Sequence, residues 1–413
     1  MLLHRFFANF ISTGNLTVTD AGGVVRNYGD GSGKAIRITL HSRKAEWRVM
    51  LNPRLAAGEL YMQGELSVDA GSIYEFLSLA LRNIGNLHRR PLFRLLEWLA
   101  VPLRHLYSFN PMARARKNVA HHYDLSSTLY DLFLDEDRQY SCAYFRNPDD
   151  TLEQAQQNKL QHIAGKLLLN KPGLRVLDIG SGWGGMGLFL ARQYGCEVDG
   201  ITLSEEQCKL SIERAKNAGL SAQVTYQLCD YRQQTGPYNR IVSVGMFEHV
   251  GSAHYREFFS KVRELLTDDG VMLLHSIGTM KPPNNTNPWI RKYIFPGGYT
   301  PSLSEVLQAV EHEGLYVTDI EIWRLHYAKT LAKWAERFAA NRERVRTLYD
   351  ERFCRMWEFY LAICQVAFED LQQMVFQLQL SKDQRAVPLT RDYITEAWQQ
   401  SGDESLQHRR AAD

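Results

Sequence analysis

The run Val176-Leu-Asp-Ile-Gly-Ser-Gly-Trp-Gly-Gly-Met186 constrains the fold more than any other stretch of the chain. Residues 176–179 are short and apolar, as a buried strand is, and Gly180, Gly182, Gly184 and Gly185 follow at once. Met186-Gly-Leu-Phe-Leu-Ala-Arg192 then reads as a helix. A strand that turns through glycines into a helix lets backbone come close to a ligand, and it aims the first helical amides at the ligand's polar end. Taken alone, such a turn is a weak signal, shared by dinucleotide-binding folds and ordinary strand–helix junctions. The flanking chain selects among them.

Downstream, strand and helix patterns alternate. Residues 197–203, 224–229, 240–245 and 271–275 read as strands, and 316–324 and 374–381 as later ones. Ser204-Glu-Glu-Gln207 is a capping box whose helix Gly219 stops, Ser302 to Glu305 caps another, and residues 327–373 are helical in pattern. Upstream, Asp150-Thr-Leu-Glu153 caps a helix expected through Leu169. Alternation of this kind implies a parallel sheet whose ligands gather at the carboxyl ends of the strands. Asp230-Tyr231 and Met246-Phe-Glu-His249 stand at such ends and are expected to share one crevice with the glycine turn.

Residues 1–75 read as a separate small module. Residues 35–42 alternate like a half-buried strand, 46–51 are expected to pair with it, and 58–68 are rich in turn glycines and strand formers. Nothing in the module is catalytic in type; lipid or membrane docking and a purely structural cap both fit. Over 76–118 a basic linker follows, with Leu92, Leu95, Leu96, Leu99, Leu103 and Leu106 at helical spacing among arginines. Such a stretch either lies on an anionic membrane or packs its leucines on the protein's own core. The catalytic region is expected over 119–390 and a polar tail over 391–413. A formal net charge of +2 names no partner. The six cysteines lack a C-x-x-C pairing or disulfide-like framework, and neither an export signal nor a bilayer-spanning apolar run stands out. A reduced cytoplasmic compartment is therefore expected.

Tyr140-Ser-Cys-Ala-Tyr144, the 177–185 turn, Gly200-Ile-Thr-Leu-Ser-Glu-Glu-Gln207, Cys229-Asp-Tyr-Arg232, Gly245-Met-Phe-Glu-His-Val250, His275-Ser-Ile277, Tyr327 and Cys364 jointly resemble the cyclopropane-fatty-acyl-phospholipid synthases. Those are S-adenosylmethionine (SAM)-dependent enzymes related to the mycolic acid cyclopropane synthases. With Asp178 before its first glycine, the turn also resembles motif I of the class I SAM-dependent methyltransferases. The likeness runs over nearly the whole chain; one departure is Ser181, where the family more often has cysteine, and both are small. The resemblance implies an α/β fold of the class I SAM-dependent methyltransferase type, Rossmann-like with a seven-stranded, mostly parallel sheet, and a small N-terminal α+β domain. It implies SAM and bicarbonate as cofactors and an unsaturated membrane phospholipid as substrate. It further implies a homodimer peripherally associated with the inner face of the membrane, and neither metal nor nucleic acid.

The implied reaction moves the SAM methyl to a cis double bond of an acyl chain; a proton then leaves and a cyclopropane ring closes. By resemblance the cofactor site comprises Tyr140, Ser141, Asp178, Gly180, Gly182, Trp183 and Gly184, with Thr202 and Gln207 near the ribose and Asp230 and Tyr231 near the adenine. Thr202 and Gln207 equally fit plain helix capping. Attack by an alkene leaves a carbocation, which aromatic faces stabilise without bonding to it; Tyr144, Phe145, Phe247, Tyr299 and Tyr327 are candidates. In the resembled family a bound bicarbonate takes the proton. The matching candidate catalytic positions are Cys142, Glu248, His275, Ile277 through its backbone, Tyr327 and Cys364. Glu248 is expected to accept the bicarbonate hydroxyl proton, and His275 and Tyr327 to donate to its oxygens. Cys364 reads as lining that site, because no covalent enzyme intermediate is needed. Zinc ligation by these groups finds no matching spacing, and the cysteines equally fit ordinary buried thiols. Reduction or hydration of the same cation would give a methyl-branched, methylene or hydroxylated chain with the same motifs. Met246-Phe-Glu-His249 stands where adenine N6-methyltransferases carry an Asn/Asp-Pro-Pro-aromatic motif, which argues against a nucleic-acid substrate.

Overall fold

The computed structural model describes residues 2–88 and 126–396. Most of the basic linker expected over 76–118 and most of the tail expected over 391–413 lie outside the described residues. The chain divides into two compact units. One takes the N-terminal residues together with Asn284–Pro296 and Ala328–Gln373; the other takes the residues up to Pro283, Gly297–Tyr327 and the chain from Met374. Residues 284–296 and 328–373, expected within 119–390, thus cluster with the N-terminal residues.

In the first unit, β1 (Asn15–Thr19), β2 (Val25–Tyr28), β3 (Ala35–Leu40) and β4 (Leu66–Ala70) form a sheet in the order β2-β1-β3-β4. Ile36, Ile38 and Leu40 alternate inward along β3, as a half-buried strand requires. The strand expected over 46–51 is instead the helix Arg43–Leu51, because Ser42 accepts a hydrogen bond from Ala45 N and caps it. The expected strand formers of 58–68 divide in the same way. Pro53 opens the helix Pro53–Gln63, Gly64 ends it in the left-handed region at φ 73°, and only then does β4 begin. The long helix Glu351–Asp370 packs on Ile73–Arg82 and Pro53–Gln63. Tyr61 OH donates to Glu358 at 3.0 Å, and Tyr74 OH to Glu369 at 2.7 Å. Among the described residues no helix is long and apolar enough to cross a membrane.

The second unit is built on seven strands: β5 (Arg175–Ile179), β6 (Glu197–Thr202), β7 (Val224–Leu228), β8 (Tyr238–Val244), β9 (Leu266–Thr279), β10 (Tyr316–Trp323) and β11 (Gln373–Ser381), in the order β10-β11-β9-β8-β5-β6-β7. Pairings β5/β6, β6/β7, β5/β8 and β8/β9 are parallel, and β10/β11 is antiparallel. The expected α/β class and mostly parallel sheet are present. Alternate residues feed two cores. Leu177, Ile179, Ile241 and Leu274 face the helices Tyr255–Leu265 and Leu303–His312, while Val176, Val198, Val242 and Leu273 face Leu152–Lys166 and Gly185–Tyr194. Each large apolar side chain buried in this way contributes on the order of 1.5–3 kcal/mol. The chain enters at β5, runs outward to β7 and returns to β8 on the other side of β5. Strand order therefore reverses between β5 and β8, and a crevice opens at their carboxyl ends.

Candidate active site

That crevice is a cleft lined by the ends of β5, β6 and β8, the chain after β7 and residues 138–141. All of the expected cofactor residues except Gly184 line it. Gly180 and Gly182 hold φ of +84° and +55°, where L side chains are strained, and a Cβ on Gly180 would sit 2.7 Å from Met246 Cβ. Gly184 works behind the wall. Its carbonyl accepts a hydrogen bond from Tyr226 OH at 2.6 Å, and a Cβ there would meet Tyr226 Cζ at 2.7 Å and Ser211 Cβ at 2.9 Å. It is the close-packing glycine between helix and sheet.

The other walls are held by side chains. Tyr140 and Trp183 both pack on the buried Tyr130, with ring centroids 5.4 and 4.7 Å away. Thr202 Oγ1 donates to Gln207 Oε1 at 2.9 Å, and Ser204, not Gln207, caps the following helix backbone. Only half of the expected capping box forms, and the freed Gln207 side chain turns to the strand end. Asp230 receives a two-pronged pair from Arg232, Nε to Oδ1 at 2.8 Å and Nη2 to Oδ2 at 2.7 Å. Tyr231 is buried against Phe258. Asp178 is buried on the cleft wall; burial pushes its carboxyl up to about 7, the nearby Lys159 charge opposing that rise. Asp178 Oδ2 and Ser181 Oγ have no hydrogen-bond partner among the described residues. Buried polar atoms left in this way beside a cleft call for a polar ligand.

The expected bicarbonate residues are distributed as follows. Glu248 sits one turn after β8, between Met246 and His249, which line the cleft. Its Oε1 accepts from Ile277 N at 2.5 Å, while Oε2 is buried without a partner among the described residues. Burial raises its carboxyl to about 7 against the pull of the Ile277 amide. The Ile277 amide is therefore taken by Glu248, and its carbonyl accepts from Ser276 Oγ at 3.1 Å, so this backbone is engaged within the protein. His275, near the end of β9, is buried edge-on to Trp323. Desolvation, together with the Lys159 and Lys166 charges, holds it well below the usual histidine range and so neutral. Gln377 Nε2 lies 3.2 Å from its Nδ1; with the amide donating, Nδ1 accepts and the ring proton sits on Nε2. Cys142 is fully buried, Tyr327 is buried as the last residue of the second unit's Gly297–Tyr327 segment, and Cys364 lies in the first unit, where burial pushes its thiol up to about 12.

Among the aromatic candidates, Phe247 is core. It is fully buried on Tyr255 and Phe258, with centroids 4.4 and 5.1 Å away. Tyr299 is anchored through its hydroxyl to Glu305 at 2.8 Å. Tyr144 is sandwiched between His162 and His326, with centroids at 4.6 and 4.8 Å, and the neighbouring Phe145 is buried with its amide on His326 Nδ1.

The helix expected after residue 150 runs behind residues 138–141, and sequence reading missed the side chains it presents to them. Gln156 Nε2 donates to the carbonyls of Gln139 and Ser141, and Lys159 Nζ to their side-chain oxygens. It also missed Arg214, which ties the Trp183 carbonyl at 2.6 Å to Asp137 at 2.8 Å.

A family model described as Mycolic acid cyclopropane synthetase matches residues 111–378. The chain belongs to that family. It is 40% identical over 335 residues to the cyclopropane-fatty-acyl-phospholipid synthase of Escherichia coli K12, covering 81% of this chain and 85% of that one. It is 41% identical over 285 residues to a probable fatty acid methyltransferase of Pseudomonas putida, covering 66% and 72%. The crystal structure of the mycolic acid cyclopropane synthase CmaA1 complexed with SAH and CTAB superposes with a TM-score of 0.61 at 35% identity, covering 66% of this chain and 99% of that one.

Proposed function

We propose that this SAM-dependent methyltransferase transfers a methylene group from SAM to the cis double bond of a phospholipid acyl chain, forming a cyclopropane ring. The observation that carries the reading is a buried acid with an unpartnered oxygen, Glu248, one residue from the wall of a cleft built on the glycine turn, in a chain of this family. The glycine cradle and the orphaned Asp178 and Ser181 oxygens fit a zwitterionic, purine-bearing cofactor. SAM supplies an electrophilic methyl when bound. Gly180, Gly182 and the 138–141 segment would hold its amino-acid end, and Thr202, Gln207, Asp230 and Tyr231 its nucleoside.

The chain's own part is to hold the alkene dry and remove a proton from the methylated cation. A neutral His275 adds no positive charge beside a cation, and its Nε2 proton can be donated to an anion. Bicarbonate fits as the proton acceptor, with Cys142, Glu248, His275 and Tyr327 as the groups to hold it. At a pKa of about 7, Glu248 is near half-ionised at neutral pH and can either take or give a proton there. A homodimer and docking on the inner membrane face through the arginine-rich linker belong to the same proposal.

A methyl-branched product is the second reading, favoured by the 35% identity over 342 residues to the tuberculostearic acid methyltransferase of Mycobacterium tuberculosis, whose named product is a methyl-branched chain. The test of the shared step is SAM consumption with vesicles of cis-unsaturated or of fully saturated phospholipid. Transfer should require the double bond; equal transfer to both would move the reaction to the head group and overturn the proposal.

A further inference from the structure

We propose that Lys159 is a positioning residue of the cleft: from behind the wall it fixes Gln139 and Ser141 so that both present donors to the carboxylate end of the ligand. The inference rests on the cleft being the SAM site and adds the residue that sets its polarity.

Lys159 is wholly buried within the helix Leu152–Lys166, with Nζ 2.7 Å from Gln139 Oε1 and 2.8 Å from Ser141 Oγ. An ammonium this deep is costly unless its hydrogen bonds are made. It can only donate, so both partners must accept. For Gln139 that commits the oxygen to the lysine and leaves the Nε2 amide as the outward end. That amide lies against Gly185, the first residue of the helix Gly185–Tyr194, where an added Cβ would collide with it. For Ser141 it occupies a lone pair and leaves the O–H to donate elsewhere. The backbone of the segment is pinned as well, by Gln156 Nε2 on the Gln139 and Ser141 carbonyls, both at 3.1 Å, and by Asp135 Oδ1 on the Gln139 amide at 2.9 Å. Both side chains line the cleft. Two oriented donors therefore stand with a helix amino end, an arrangement matched to a carboxylate. Burial lowers the Lys159 ammonium to about 8, which leaves it mostly charged at neutral pH.

The experiment measures binding of two probes to the full chain by calorimetry. S-adenosylhomocysteine carries the amino-acid carboxylate, and 5′-methylthioadenosine lacks it. Lys159→Met should weaken the first by about tenfold or more, the scale of a lost charge-assisted hydrogen bond, and leave the second within about twofold. If Lys159→Met does not fold, Lys159→Gln removes the charge more gently and should show the same split. Equal weakening of both probes would mean a purely structural lysine, and no change in either would mean no role; both overturn the inference. Failure of the unmodified protein to bind S-adenosylhomocysteine would instead bring down the cofactor reading itself.

Discussion

At Glu248 the protein holds a carboxyl that would be more stable elsewhere. Its folded pKa of about 7 lies above the ordinary 4.5. A proton is thus bound more tightly in the folded chain. The corresponding stability is complete below about pH 4.5 and is lost as pH rises through 7, a change of roughly 3 kcal/mol. Asp178 moves in the same direction for the same reason, so these two carboxyls weaken the protein between pH 5 and 8, opposed by His249 and His275, whose buried rings bind a proton less tightly than in the unfolded chain. Glu248→Gln keeps an acceptor for the Ile277 amide but cannot ionise. Denaturant titrations at the two pH values should show a smaller loss for Glu248→Gln than for the unmodified chain, by up to about 3 kcal/mol, with product formation abolished. An identical pH dependence in the variant would mean that Glu248 is not held as described.

The helix that follows the glycine turn can approach β6 and β7 only because Gly184 has no side chain. Its φ is +84°, and a Cβ would lie within 2.9 Å of both Tyr226 and Ser211. Gly184→Ala should therefore cost about 1–3 kcal/mol through overpacking and backbone strain, read as a lowered thermal midpoint; an unchanged midpoint would show that this packing is loose. The strand–glycine–helix pattern made this element legible, as strand periodicity did for β6 to β11, because the buried sheet imposes it directly. Other elements were hidden for physical reasons. Residues 46–51 have strand-like composition, but the Ser42 cap and the Pro53 start decide for helix. The helix after residue 150 is capped by Thr151 with Gln154, one residue later than expected, because Asp150 instead binds the Arg146 and Asn147 amides. Gln156, Lys159, His162 and Lys166 recur at helical spacing like a solvated stripe, yet all four are buried. Lys166 pairs with Asp319 and Glu321, and Lys159 faces the cleft wall, partners that sequence spacing cannot reveal.

At the scale of the molecule, the sequence motifs fall mainly in one unit. The glycine turn, the ends of β6, β7 and β8, Glu248 and His275 come from segments spread between residues 176 and 275 and meet in the unit built on the parallel sheet, while Cys364 lies in the unit that carries the N-terminal sheet. Family membership accounts for the cofactor; it does not by itself separate ring closure from a branched product. Deuterium counting does. Purified protein is given vesicles of cis-unsaturated phospholipid and SAM with a trideuterated methyl, and the acyl chains are read by mass spectrometry and proton NMR. The account predicts a gain of two deuteriums together with upfield ring protons, because the transferred methyl loses one of its hydrogens to the base. Three retained deuteriums without ring protons would contradict it, since no proton would then have left that methyl.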